Sequence, residues 1–191
     1  MPRTYDNTQR ARAAERTKER IVAASEALLA GGPVGDVTLQ AIADEAGVTV
    51  QTVLRHMGSR DGCFAAVGER LRARVEAQRG GTAAGDVEAA VAALVAHYEA
   101  EGRLVLNLLA QETGGDPLPR SASEAGRAYH RAWVLRCFGP GLEEPDPERV
   151  DALVAATDLY VWKLLRLDLG RSPEATERVL VRLVRSVLEA P

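Results

Sequence analysis

Residues 39–57, LQAIADEAGVTVQTVLRHM, leave the backbone few choices. Leu39, Ile42, Ala43 and Ala46 fall at i, i+3, i+4 and i+7, the spacing of one face of an α-helix. Val50, Val53, Leu54 and Met57 repeat that spacing. Only Gly47-Val48-Thr49 stands between the two patterns. Two short amphipathic helices so joined must turn a sharp corner, and Gly47 takes the left-handed backbone such a corner needs. Thr38 and Thr49 precede the two patterns, where a hydroxyl can accept from the first free N–H groups of a helix. With both apolar faces buried, Gln51, Thr52, Arg55 and His56 lie on the outer arc of the second helix. The arrangement predicted is a helix-turn-helix.

The rest of the chain reads as helix too. The spacing predicts a helix from about Ala13 to Gly31-Gly32-Pro33, and another from the Ser59 cap to about Arg79. Asp86 opens a helix carrying Val87, Val91, Leu94, Val95 and Tyr98 on one side, with Gly102 as its breaker. RLVLNLLAQET follows as a central buried helix, apolar almost all round. GGDPLP and GPGLEEP read as loops, with a helix over 121–138 between them. Pro147 opens a long helix to about Leu169, and Ser172-Pro173 opens the last one. About nine helices, no strand and no internal repeat define an all-α fold. The expected division is a disordered basic arm over 1–13, a three-helix unit over 14–58 and a helical domain over 59–191.

Composition narrows the class. No apolar run approaches the ~20 residues of a membrane span. The first residues, MPRTYDNTQRARAAERTKER, lack the apolar stretch of a secretory signal, so a cytoplasmic protein is expected. Cys63 and Cys137 are too few for a disulfide scaffold and read as small core residues. His56, His97 and His130 are too dispersed for a histidine metal site, and no metal or cofactor is expected. The net charge of −3 hides an asymmetry. Arg3, Arg10, Arg12, Arg16, Lys18 and Arg20 face only Asp6, Glu15 and Glu19 over the first twenty residues, which points to a polyanion at that end.

RIVAASEALLAGG followed by VTLQAIADEAGVTVQTVLRHMGSRDG closely resembles the N-terminal DNA-binding domain of the TetR family of bacterial transcriptional regulators. The resemblance covers roughly residues 14–66. It rests on Ala23-Ala24, Thr38, Ile42-Ala43, Ala46-Gly47-Val48, Thr52, His56 and the step Ser59-Arg60-Asp61. Leu54 and Met57 stand where the family usually has Tyr and Phe, and Arg60 where it usually has Lys. Leu54 has no hydroxyl to offer a phosphate, while Met57 can fill the same core space.

The major groove of B-DNA admits one α-helix and shows each base pair as a distinct donor and acceptor pattern. Gln51 suits an adenine edge and Arg55 suits guanine O6 and N7. Thr52 and Val50 suit a thymine methyl or a sugar. Thr38, Thr49, His56 and Arg60 are placed to meet phosphates, and Gln40 to meet either. One helix reads few base pairs, so a homodimer on a palindromic double-stranded operator is expected. Val150, Val154, Thr157, Val161 and Leu164 on the eighth helix, with Val179, Leu183 and Val187 on the ninth, supply the candidate stripes. The resemblance implies that these helices form a four-helix interface with their copies.

It also implies a small-molecule effector inside the middle helices, whose binding releases DNA, as in a repressor. His97, Tyr98, Asn107, Gln111, Tyr129, His130, Trp133 and Asp158 are the polar or aromatic candidates there, and they suggest a small, largely apolar ligand. Two alternatives stand beside this reading. One is a helical dimeric sensor or interaction module with weakened DNA binding, favoured by Leu54 and Met57. The other is an all-helical metalloenzyme using His97 and Glu101 at i, i+4, for which no third ligand is visible. No phosphate-binding glycine loop or nucleophile elbow supports an enzyme.

Overall fold

The computed structural model describes residues 3–142 and 146–190. The helices are α1 (Arg3–Gly31), α2 (Leu39–Ala46), α3 (Val50–Met57), α4 (Arg60–Arg79), α5 (Val87–Ala110), α6 (Pro117–Phe138), α7 (Pro147–Ala156), α8 (Leu159–Lys163) and α9 (Pro173–Leu188). Eight of them have eight residues or more; α8 has five and runs on into a π-helical turn, Leu164–Asp168. No strand occurs among the described residues. The all-α expectation holds, but several boundaries move.

Helix α1 starts at Arg3, not near Ala13, so the expected disordered arm is helical from that point. Ala, Arg, Gln and Glu dominate residues 9–16, and all are strong helix formers. Their polarity suggested an arm, yet a polar helix with no buried face can project into solvent. Residues 8–16 are exposed throughout. Met1 and Pro2 of the expected arm, and Glu143, Glu144 and Pro145 of the expected second loop, lie outside the described residues.

Gly102 does not end a helix. Helix α5 passes through it, and the two helices expected on either side are one. A Cβ at Gly102 would lie 2.7 Å from the Trp162 ring, so the glycine lets α8 approach α5. Trp162 is buried there and donates from Nε1 to Glu99 at 2.8 Å. The residues after Gly102 are not buried all round: Leu104 and Leu108 are buried, Arg103 and Ala110 exposed. The PLP of the first expected loop is instead the first turn of α6. Asp116 caps it by accepting from Leu118 N at 2.9 Å, and proline suits the opening turn. The long helix expected over 147–169 is interrupted at Thr157. Asp158 restarts it as the cap of α8, accepting from Tyr160 N at 2.8 Å.

Two hydrophobic clusters result. The head cluster joins Ile21, Val22, Leu29, Val34, Ile42, Val53, Phe64 and Val67. The body cluster joins Val91, Leu94, Val95, Trp133, Val134, Phe138, Leu153, Leu180 and Val184. Helix α5 enters both: Leu104 and Leu108 close the head, and its first half forms the centre of the body. Cys63 and Cys137 are both buried, one in each cluster, as expected. Arg74 of α4 ties the helices of the head to α5, with Glu26 of α1 at 2.6 Å and Glu101 of α5 at 2.6 Å.

Gly102→Ala should therefore destabilise the fold by ~1–3 kcal/mol, because overpacking against a buried tryptophan outweighs the better helix propensity of alanine. Gly126 lies in α6 with open space around its Cα, so Gly126→Ala should stabilise by roughly 0.5–1 kcal/mol. Urea denaturation of both variants checks the pair. A Gly102→Ala protein as stable as wild type would contradict the close approach.

Candidate nucleic-acid interface

The turn between α2 and α3 is built as the sequence requires. Gly47 has φ 62 and ψ 43, in the left-handed region. Nothing lies within 4 Å of the place a Cβ would take, so the demand for glycine is one of backbone conformation alone. Val48 N donates to Ala43 O at 2.9 Å, which satisfies a carbonyl at the end of α2. Thr38 caps α2 by accepting from Ala41 N at 3.1 Å, and Thr49 caps α3 by accepting from Thr52 N at 3.2 Å. The Thr49 and Thr52 hydroxyls also pair at 3.0 Å.

On α3, Val53 is fully buried and Val50 and Met57 pack partly against the head cluster. Gln51 and Arg55 are exposed on the other side, with Thr52 and His56 half-buried beside them. Thr38, Gln40 and Thr49 are exposed on the same pair of helices. The Gln40 side-chain amide donates to Asp44 at 2.8 Å, which holds it along α2. Eight of the nine expected DNA contacts thus lie on one helix-turn-helix unit.

Arg60 is the exception and corrects the expectation. Its Nε donates to Val37 O at 2.7 Å and its Nη2 to Val34 O at 2.5 Å, and the guanidinium pairs with Asp116 at 3.1 Å. It also lies over the Phe64 ring, 4.5 Å from the centroid. A guanidinium so engaged is held against the 32–37 linker. Two expected ligand contacts hold the same linker. Asn107 donates to Leu29 O at 2.7 Å and to Gly32 O at 2.8 Å, and Gln111 Oε1 accepts from Val34 N at 2.8 Å. Free carbonyls at the end of α1 need partners, and the Asn107 amide reaches them from α5, while Gln111 just beyond α5 takes a linker N–H. Asp158, as the α8 cap, is likewise committed to the backbone.

The remaining candidates do come together, around a residue that the sequence reading missed. Arg79, the last residue of α4, is 2% exposed. Its guanidinium lies 4.1 Å from the Trp133 ring centroid and 5.4 Å from that of Tyr129. Its Nη2 donates to His130 Nδ1 at 3.0 Å. Arginine is only a donor, so Nδ1 accepts and the proton of His130 sits on Nε2. Nε2 then donates to Thr157 Oγ1 at 3.1 Å, and Thr157 Oγ1 donates to Leu153 O at 2.7 Å. Tyr98 donates to Thr157 O at 3.0 Å, and His97 contacts Gln78 at 3.3 Å. Burial, and then the Arg79 charge, push His130 down to about 4 and His97 to about 3. A basic residue at a helix end normally serves the last carbonyls. Nothing in the sequence marks Arg79 as turned inward.

His97 and Glu101 are not a pair. His97 faces Gln78 of α4 while Glu101 binds Arg74, so the donors of the metalloenzyme alternative are divided.

The candidate dimer stripes are also divided. Val150 and Thr157 are buried inside the body, and Val154, Val161 and Val187 pack partly against its core. Leu164, Val179 and Leu183 are exposed, as are Tyr160, Leu167 and Leu169, of which the expected stripes omitted the last two. Leu164 and Leu167 lie within the π turn, whose winding departs from the regular helix spacing.

A capped, glycine-turned helix pair with an exposed polar arc defines a helix-turn-helix protein of the DNA-binding class. Residues 21–67 match the family model of bacterial regulatory proteins, tetR family. The matched stretch spans the end of α1, the whole of α2 and α3, and the start of α4. Over its whole length the fold is similar to two solved structures. One is a transcriptional regulator from Rhodococcus sp. Rha1, with TM-score 0.64 and 21% identity, over 90% of this chain and 96% of that one. The other is a TetR-family transcriptional regulator from Streptomyces coelicolor, with TM-score 0.69 and 21% identity, over 98% and 96%. No curated protein sequence matches the chain. No helix among the described residues is long and apolar enough to cross a membrane.

The two buried histidines give the fold a pH dependence. Both are neutral when folded, with pKa values below the ordinary 6.5, so the unfolded chain takes up protons first as pH falls. Stability should be complete above about pH 6.5 and fall from there to about pH 4 for His130 and about pH 3 for His97, by ~2 kcal/mol per histidine at pH 5. Urea midpoints at pH 7 and pH 5 check this, and His130→Gln should flatten the slope. A wild-type midpoint that is the same at both pH values would contradict it.

Proposed function

We propose that the chain is a cytoplasmic, homodimeric regulator that represses transcription by binding a palindromic operator through α3, and that a small molecule entering the body releases it. The observation that carries this reading is the division of α3, with Val53 fully buried and Gln51 and Arg55 exposed opposite it. A short helix with a rigid apolar back and a polar front is what entry into the major groove needs. Thr38, Thr49 and His56 flank the arc as phosphate contacts, which set register, and Gln40, Val50 and Thr52 complete the surface.

The dimer supports symmetric binding. Tyr160, Leu164, Leu167, Leu169, Val179 and Leu183 are large apolar side chains left in solvent on the α8–α9 region. Such a concentration on one region marks an interaction surface, and a second copy covers it with the same residues. Two α3 helices then face half-sites about one helical turn, ~34 Å, apart. The exposed helical start of α1 carries Arg10, Arg12, Arg16, Lys18 and Arg20, whose charge favours approach to the phosphates.

Fluorescence anisotropy with DNA from upstream of the gene, against scrambled DNA at two salt concentrations, tests the reading. Selective binding that weakens steeply with salt is expected. Arg55→Ala should cost ~1–3 kcal/mol and relax the preference at one base pair, if Arg55 grips a guanine in the major groove. An equal loss on both DNAs would make Arg55 a phosphate contact. No selectivity in the wild type on any sequence from a random pool would sink the reading in favour of an interaction module.

A further inference from the structure

We propose that the effector is an amphipathic organic anion, and that the guanidinium of Arg79 receives its carboxylate. The proposal rests on the ligand-responsive reading above and names the chemistry of that ligand. Arg79 is buried at 2% exposure, and among the described residues no carboxylate lies within ion-pair distance of it. The nearby acids are committed elsewhere. Glu101 and Glu26 hold Arg74, and Glu76 faces the Tyr129 hydroxyl at 3.3 Å. The partners that Arg79 does have are two aromatic faces and a neutral imidazole.

The unmet groups all have one sign. Arg79 Nε and Trp133 Nε1 are buried donors with no acceptor. Arg79 Nη2, on the same edge of the guanidinium as Nε, is bonded only to His130. That edge is the fork which binds a carboxylate through two parallel hydrogen bonds. A site short of acceptors and holding a net positive charge favours an anion. A cation would meet repulsion, and a neutral amide would bring further donors. The Trp133 face lies against this guanidinium with Phe138 edge-on to it, and both suit an aromatic or aliphatic tail.

Calorimetric titration of the full chain with phenylacetate, indole-3-acetate and octanoate, each beside its primary amide, tests the assignment. At least one carboxylate should bind wild type, with its amide at least tenfold weaker and Arg79→Met at least tenfold weaker. If Arg79→Met does not fold, as judged by circular dichroism and melting, Arg79→Lys keeps the charge without the fork and should still weaken binding at least threefold. Equal binding of acid and amide, undiminished binding by the folded variant, or no binding of any of the three acids would overturn the proposal. Operator anisotropy in the same samples separates the two readings. Carboxylate binding through Arg79 with no change in operator affinity supports this site and overturns effector release. Operator release by a neutral compound, undiminished in the Arg79 variant, does the reverse.

Discussion

Everything else in the molecule is arranged around the continuity of α5. Its 24 residues span about 36 Å, and its two halves sit in different hydrophobic clusters. The head cannot complete its core without Leu104 and Leu108, nor the body without Val91, Leu94 and Val95. Gly102 stands between the two sets and is the point at which α8 presses closest. A substitution there is felt by both clusters at once. The head and body are thus physically distinct cores strung on one rigid rod, which is a stiffer link than any loop.

Polar side chains complete the same link. Arg60 takes the Val34 and Val37 carbonyls, Asn107 those of Leu29 and Gly32, and Gln111 the N–H of Val34, so α4 and the end of α5 hold the stretch that leads from α1 to α2. Buried backbone groups left without partners cost ~1–3 kcal/mol each, so these three contacts fix where α2 begins relative to α5. The same residues look, in the sequence, like a phosphate contact and two ligand contacts. Their residue types are right for those roles. The backbone groups they hold lie some 25 to 80 residues away along the chain.

That distinction explains what was legible. The α2–α3 unit depends on neighbours within four residues: Thr38 on Ala41, Thr49 on Thr52, Gly47 on its own φ. Local causes leave local marks, and each of these was readable. The interruption at Thr157 was not read, although Asp158 marks it locally as the cap of α8. The passage of α5 through Gly102 was not, because the glycine answers to Trp162, sixty residues on. The helical start of α1 was misjudged for a different reason. Polarity was read as disorder, although Ala, Arg, Gln and Glu are helix formers with or without a face to bury.

Four arginines show how far residue type alone underdetermines role. Arg55 stands in water on α3 with no partner among the hydrogen bonds described, and its donors are free for a base edge. Arg60 spends its donors on linker carbonyls and Asp116. Arg74 spends them on two carboxylates and so binds three helices together. Arg79 has aromatic rings and one neutral histidine, at a depth where a charge loses several kcal/mol of hydration. A cation–π contact returns about 2 kcal/mol when desolvated, less than the loss. The deficit falls on the C-terminal turn of α4, and α4 begins at Arg60, beside the linker that positions the reading head. Arg79 and Arg60 thus stand at opposite ends of one helix, the first turned into the body and the second onto the linker before α2.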